Sequence, residues 1–229
     1  MLIIVESPAK AKTISQIVNK IPGFKNTVVK ASVGHVRSLS SASKTEDGRK
    51  LQISGIDIEN EYFPIYVVDE KKISVVRELK KLAKEHKNQI LFATDSDREG
   101  EAISWHLAEI LGFKELEKME RLEFHEITPK AIEEAIKNPR KLNIELVNAQ
   151  KARQVLDKLV GYKLSPVIWG VMGNRHLSAG RVQSPALRII CDREKEILAF
   201  KAEEYWQITG SFTFSDREIA NLYDSLLKI

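Results

Sequence analysis

The feature that most limits how this 229-residue chain can fold is residues 89–107. An apolar run at residues 89–93 is short enough for a buried strand. It leads directly into acids at every second position, Asp95, Asp97 and Glu99, with Arg98 between the last two. Apolar residues then recur at spacings of three and four, which predicts a helix opening at Glu101-Ala102-Ile103. A strand that delivers acids to a helix start suits an open α/β sheet, which binds ligands at the carboxyl ends of its strands. Carboxylates gathered there are hard oxygen ligands suited to Mg²⁺. Acids also collect at helix starts because the dipole favours them, so Asp95 or Asp97 alone would say little. Three acids interleaved with an Arg after a buried strand say more.

The same unit opens the chain. Leu2-Ile3-Ile4-Val5 reads as a buried strand, and Glu6 stands at its carboxyl end. Pro8 suits a first helical turn, and Ile14, Ile17 and Val18 supply an apolar face. Lys10 falls one turn into that helix, near an expected phosphate site. A capping role suffices for Glu6, and a solvated face suffices for Lys12.

Residues 27–33 are β-rich and end in Ser32-Val33-Gly34-His35, a turn that presents an imidazole. Residues 37–51 have loop composition, residues 62–68 read as one strand, and residues 71–86 as an amphipathic helix on Val75, Leu79 and Leu82. Residues 121–127 alternate like a strand with one wet face, and Thr128-Pro129 opens a helix through Ile136. Strands alternating with helices predict an α/β fold with a mainly parallel sheet.

After Pro139 the pattern turns helical. Residues 144–160 form one predicted helix, with Leu146, Ala149, Ala152, Val155, Leu156 and Leu159 inward and Arg153, Gln154 and Asp157 on an outer face. Gly161-Tyr162 closes it, and residues 164–172 predict a second helix with Pro166 in its first turn. Residues 173–180 form a loop, residues 181–198 a long helix, residues 203–214 a strand and residues 215–229 a short helix. A Ser/Gly loop feeding an Arg-bearing helix start is a sound phosphate cradle.

Composition narrows the function class. Hydrophobic content of 43% supports a real core. No apolar run approaches the roughly 20 residues that cross a bilayer, and the apolar start reaches Glu6 too soon for a signal peptide. With Cys191 alone, no internal disulfide or Cys-based zinc site can form, which fits a cytoplasmic protein. A net charge of +4 is a mild hint of an anionic partner.

Four motifs occur in order: residues 5–13 (VESPAKAKT), 32–35 (SVGH), 95–106 (DSDREGEAISWH) and 178–184 (SAGRVQS). Together they closely resemble the N-terminal part of a type IA DNA topoisomerase, from Met1 to about residue 214. The acidic motif alone would indicate only a Toprim domain, which primases and nucleases share. The resemblance implies a Rossmann-like Toprim domain at residues 1–139, an α-helical DNA-binding segment at 140–200 and the start of a gate or arch domain at 201–229. It implies Mg²⁺ as cofactor, with Glu6, Asp95, Asp97 and Glu99 matching the acidic metal set. Lys10 matches a lysine near the scissile phosphate, and Arg98 or Arg181 could help offset developing charge. His35, Arg153, Gln154, Asp157, Tyr162 and Trp169 match positions along a single-strand path. Ser178, Ala179, Gly180, Arg181, Val182 and Gln183 match a DNA-contacting segment. Some relatives carry Arg at Gln154. Glu6 could hold metal or give a proton to the leaving 3′ oxygen.

The implied activity is Mg²⁺-dependent cleavage and rejoining of one DNA strand by a tyrosine, relaxing negatively supercoiled DNA. The expected partner is single-stranded or underwound DNA, with no membrane, and the expected state is a monomer. None of Tyr62, Tyr66, Tyr162, Tyr205 and Tyr223 has the family's nucleophile context. The chain is therefore expected to be an N-terminal portion that is inactive alone. A stand-alone Toprim nucleic-acid-binding module and a Toprim nuclease are the alternatives.

Overall fold

A computed structural model describes residues 1–86 and 89–210. Strand β1 (Leu2–Val5) is fully buried, as its unbroken apolar run requires. Helix α1 (Pro8–Val18) starts where the Ser7 hydroxyl accepts the Lys10 backbone N–H at 3.3 Å. Strand β2 (Val28–Ala31) returns parallel to β1. Four short strands follow: β3 (Arg37–Leu39), β4 (Ile56–Asp57), β5 (Phe63–Pro64) and β6 (Tyr66–Val68). They pair as two antiparallel ribbons, β3 with β6 and β4 with β5. Then come α2 (Ile73–Glu85), β7 (Ile90–Phe92), α3 (Arg98–Leu111) and β8 (Glu120–Arg121). Helix α4 (Pro129–Lys137), β9 (Arg140–Lys141), α5 (Ile144–Met172) and α6 (Gln183–Ala199) complete the order.

The central sheet runs β2-β1-β7-β8-β9, parallel except for the β8–β9 pair. Alternate residues of its strands feed two cores. Leu2, Ile4 and Phe92 pack with Val76 and Leu79 of α2, Ile103 and Leu107 of α3, and Val147 of α5. Ile3, Val5 and Leu91 pack with Ile14 and Val18 of α1 and Ile132 and Ile136 of α4. Both sheet faces are therefore covered by helices, as a parallel sheet demands. From β1 the chain leaves through α1 on one face, and from β7 through α3 on the other. The carboxyl ends of β1 and β7 thus form a topological switch point, where open α/β sheets bind ligands. The mainly parallel α/β reading holds.

Several local expectations are corrected. Helix α3 opens three residues before Glu101, because the Asp97 carboxylate caps it by accepting the Gly100 N–H at 2.8 Å. Of the alternating residues 121–127 only Arg121 enters a strand, the two-residue β8, since β9 offers two partner residues and β7 one. The run at 62–68 is split into β5 and β6, with Pro64 unable to donate a ladder hydrogen bond. The loop at 37–51 contains β3.

The two helices predicted at 144–172 are one, with Pro166 in its interior rather than in a first turn. Proline there forfeits a backbone hydrogen bond. The following loop is laced back onto the same turns: Trp169 Nε1 donates to the Leu177 carbonyl at 2.6 Å, and Ala179 N to Ser165 Oγ at 3.1 Å. The buried face of α5 is also rotated from the expected one. Val147, Gln150 and Val155 are buried, while Ala149, Ala152 and Leu156 are exposed. Helix α6 starts at Gln183, two residues beyond Arg181. Residues 203–210 carry no regular structure where a strand was expected, and the remainder of that strand and the helix at 215–229 lie outside the described residues.

The chain divides into two compact units, Met1–Ser184 and Pro185–Ile229. The described part of the second is exposed, with α6 carrying an Arg188–Asp192 ion pair at 3.6 Å.

Candidate active site

Glu6 follows β1 and Asp95 follows β7, so the parallel pairing of those strands brings the two acids together. The Asp95 N–H donates to Glu6 Oε2 at 3.2 Å. Helix α1 rises directly from the Ser7 cap, and one turn in, Lys10 bridges the Glu6 and Asp95 carboxylates. Burial disfavours the Lys10 ammonium, but its hydrogen bonds to Asp95 and Glu6 outweigh that and raise its pKa. The hydrogen-bonding contact with Glu6, followed by the Lys10 charge, holds the Asp95 carboxyl below its usual range.

The remaining acids point elsewhere. Asp97 spends Oδ1 on the α3 cap. Glu99 Oε1 meets His35 Nε2 at 3.2 Å, while His35 Nδ1 is buried without a hydrogen-bond partner among the described residues. Arg98 is exposed on the first turn of α3. Among the described residues, no three His, Cys, Asp or Glu side chains converge as a ready metal cage.

Beneath the Asp95 turn lies a network that sequence reading missed. Arg121 and Glu101 are both 0% exposed and form an ion pair, and Arg140 joins Glu101 and Glu123. The buried guanidinium and carboxylate balance to zero, as buried charges must, and the partly exposed Arg140 and exposed Glu123 form the rim of the network. Arg121 Nη2 donates to the Thr94 carbonyl at 2.8 Å, Thr94 Oγ1 at 2.6 Å and the Asp95 carbonyl at 2.9 Å. Glu101 Oε2 accepts the Asn143 N–H at 3.1 Å, just before α5. The one available signal is a cation at the start of an alternating run.

Along α5, Arg153 and Arg181 both approach Asp157, at 3.6 and 3.4 Å. Gln154 departs from that face: its Oε1 accepts the Tyr66 hydroxyl at 2.9 Å. Tyr162 meets Ser54 at 3.3 Å, Trp169 is engaged by Leu177, and Ser178 donates to Gln183 Oε1 at 3.3 Å. The Gly180 carbonyl accepts the Ser184 N–H at 3.2 Å, and Val182 is exposed. Nearby, Arg37 Nε donates to His106 Nδ1 at 2.9 Å and lies against the Tyr66 and Trp105 rings, with Lys151 over Trp105. Burial pushes His106 down to about 3 and Tyr66 up to about 12.

Comparison with known families decides what this site belongs to. The Toprim domain family matches residues 1–127, which hold the sheet through α3 and both strand-end acids. A second family, described as DNA topoisomerase, matches residues 141–228. The chain belongs to the type IA DNA topoisomerase family. Within this topoisomerase family, DNA topoisomerase 1 of Streptomyces coelicolor is 50% identical over 217 residues, covering 92% of this chain. Full-length topoisomerase I of Thermotoga maritima superposes with a TM-score of 0.70 at 39% identity, over 97% of this chain. The chain spans 22% of the first relative and 37% of the second. Three of its four motifs thus lie around the sheet's switch point, and the fourth on the loop between α5 and α6 and the start of α6.

Proposed function

We propose that this chain is the part of a type IA topoisomerase that holds one DNA strand, with Mg²⁺, for reversible phosphodiester cleavage. The observation behind the reading is the Glu6–Lys10–Asp95 arrangement at the ends of two adjacent parallel strands. Mg²⁺ is usually bound by one or two carboxylates, with water and substrate phosphate filling its other positions. Glu6 and Asp95 supply two such carboxylates and already gather a positive charge, so the donor set fits. In this reading Asp97 and Glu99, which hold the α3 cap and His35 in the structure, complete the acidic set. When bound, Mg²⁺ supplies Lewis-acid polarisation of a phosphodiester oxygen.

The chain's own residues then serve positioning and charge balance, the main contributions in phosphoryl transfer. Lys10 stands ready to exchange a carboxylate partner for a phosphate oxygen, aided by Arg98 or Arg181. Glu6 either stays with the cation or delivers a proton to the leaving 3′ oxygen. His35, Arg153, Gln154, Asp157, Tyr162, Trp169 and residues 178–183 line the strand's path. The Tyr66 hydroxyl is engaged by Gln154 and its pKa is raised, which does not suit a nucleophile. The attacking tyrosine is proposed not to be among those of this chain.

The domain reading goes with this: Toprim at 1–139, DNA-binding helices at 140–200 and a gate segment from 201. A monomer acting on single-stranded or underwound DNA in the cytoplasm is proposed. Among the described residues no helix is long and apolar enough to cross a membrane. Calorimetric titration of Mg²⁺ into the chain and into a D95A/D97A variant tests the metal assignment. Binding heat lost in the variant supports it, and unchanged affinity overturns it.

A further inference from the structure

The turn that carries His35 is strained. Val33 has φ of 60°, a left-handed conformation that a β-branched residue strongly disfavours. Such strain persists only where the surroundings over-determine it, and it clusters where a side chain must be aimed. Gly34 follows at φ of 79°, which costs a glycine little. Part of the restraint comes from β1 and from the turn itself. Ser32 N donates to the Val5 carbonyl at 2.8 Å, Gly34 N to the Glu6 carbonyl at 2.8 Å, and Ser32 Oγ to the Gly34 carbonyl at 3.0 Å.

These contacts hold the residues on either side of Val33. The Val33 carbonyl itself is held by Lys72, whose ammonium donates to it at 2.6 Å. Lys72 ends a single 3₁₀ turn, Glu70–Lys72, whose own start is fixed by the Asp69 carboxylate on the Lys71 N–H at 2.9 Å. That segment is also tied to the end of the His35 turn, through Asp69 N on the Val36 carbonyl at 3.2 Å. The result is a braced loop. One end rests on Glu6, and the imidazole it carries reaches Glu99 at 3.2 Å. By sequence Lys72 is one more lysine on a wet helix start, but its ammonium is spent on a backbone carbonyl.

We propose that Lys72 is a positioning residue: by holding the Val33 carbonyl it keeps the strained turn that aims His35 at Glu99 on the first turn of α3. The role of His35 on a DNA strand rests on the function proposed above. Lys72 acts through the turn and not on a phosphate, and this sets it apart from the other exposed lysines. Glycine adopts the left-handed conformation freely, so a glycine at position 33 makes the brace dispensable.

The test compares the full chain with K72M and with V33G/K72M. One readout is the His35 imidazole NMR signal in histidine-labelled protein, assigned through H35Q. The other is the affinity for a fluorescein-labelled single-stranded oligonucleotide across a salt series. K72M is expected to move the His35 signal and to weaken binding by roughly tenfold, the scale of one strained residue, with the salt slope unchanged. V33G/K72M is expected to restore both. An unmoved imidazole signal in K72M overturns the proposal. So does a salt slope reduced by about 0.7 without rescue by V33G, which would make Lys72 a phosphate contact. If the parent chain binds no oligonucleotide, the nucleic-acid reading fails, and the imidazole signal alone decides the role of Lys72.

Discussion

Arg121 and Glu101 form an ion pair in which neither side chain meets solvent, and the same guanidinium grips the backbone carbonyls of Thr94 and Asp95 from below. The acidic turn therefore stands on a buried charge pair. Replacing Arg121 with Met leaves Glu101 with Arg140 as its one charged partner among the described residues and strips two carbonyls of their donor. Breaking one side of a buried pair costs about 3–5 kcal/mol. Urea denaturation of R121M is expected to show a loss of that order. A loss below about 1 kcal/mol would mean that water enters and replaces the guanidinium.

Gly100 is fixed by how closely the backbone approaches it. A Cβ there would lie 2.0 Å from the Asp95 carbonyl oxygen, well inside any permitted contact. The obstacle is backbone, so G100A must displace the Asp95 turn. Overpacking of this kind costs about 1–3 kcal/mol. The expected outcome is a lowered denaturation midpoint together with weakened Mg²⁺ binding by calorimetry. Retention of both would mean that α3 can slide away from the turn.

His106 links stability to pH. Its pKa is pushed down to about 3, chiefly by burial and then by the charges of Arg37, His35 and Lys151. As pH falls below 6.5 the unfolded chain takes up a proton at this histidine, while the folded chain refuses one until about 3. Its stabilising contribution is complete above pH 6.5 and is lost as pH falls through that window, at up to about 1.4 kcal/mol per pH unit. H106Q keeps an acceptor for Arg37 and has no such proton to gain. Between pH 7 and pH 5 the parent is expected to lose about 2 kcal/mol more than H106Q in denaturant titrations. Equal losses would place the pH sensitivity elsewhere.

Arg153 and Arg181 reach the same carboxylate, Asp157, from α5 and from the loop after it. Each is a candidate phosphate contact. R153A and R181A are each expected to flatten the salt dependence of single-strand binding by about 0.7 in slope. A slope unchanged in both variants would remove them from the strand's path.

Residue pattern showed the main architecture because it depends on local periodicity. The apolar runs at β1 and β7 and the caps at Ser7 and Thr128 are short-range signals, and the parallel sheet follows from their alternation with helices. Glu6, Lys10 and Asp95 were found because each follows the end of such a run. What escaped depends on partners distant in sequence. Arg121 is buried only because Glu101 and Arg140 fold against it. The buried face of α5 departs from its apolar periodicity, since Gln150 enters the core while Leu156 stays out. Pro166 marked a helix start on propensity alone, and only the loop laced back through Ser165 and Trp169 shows how one helix continues past it.

Lys10 is a counter-ion on a tether. Its ammonium already occupies the saddle between the Glu6 and Asp95 carboxylates, so the two acids can sit side by side without a guest. Any cation that enters must compete with a partner whose effective concentration never falls. Occupancy then rises most when the displaced ammonium has somewhere to go, and a phosphate of the DNA strand is such a destination. Under the proposed function, the strand and the metal ion each make room for the other.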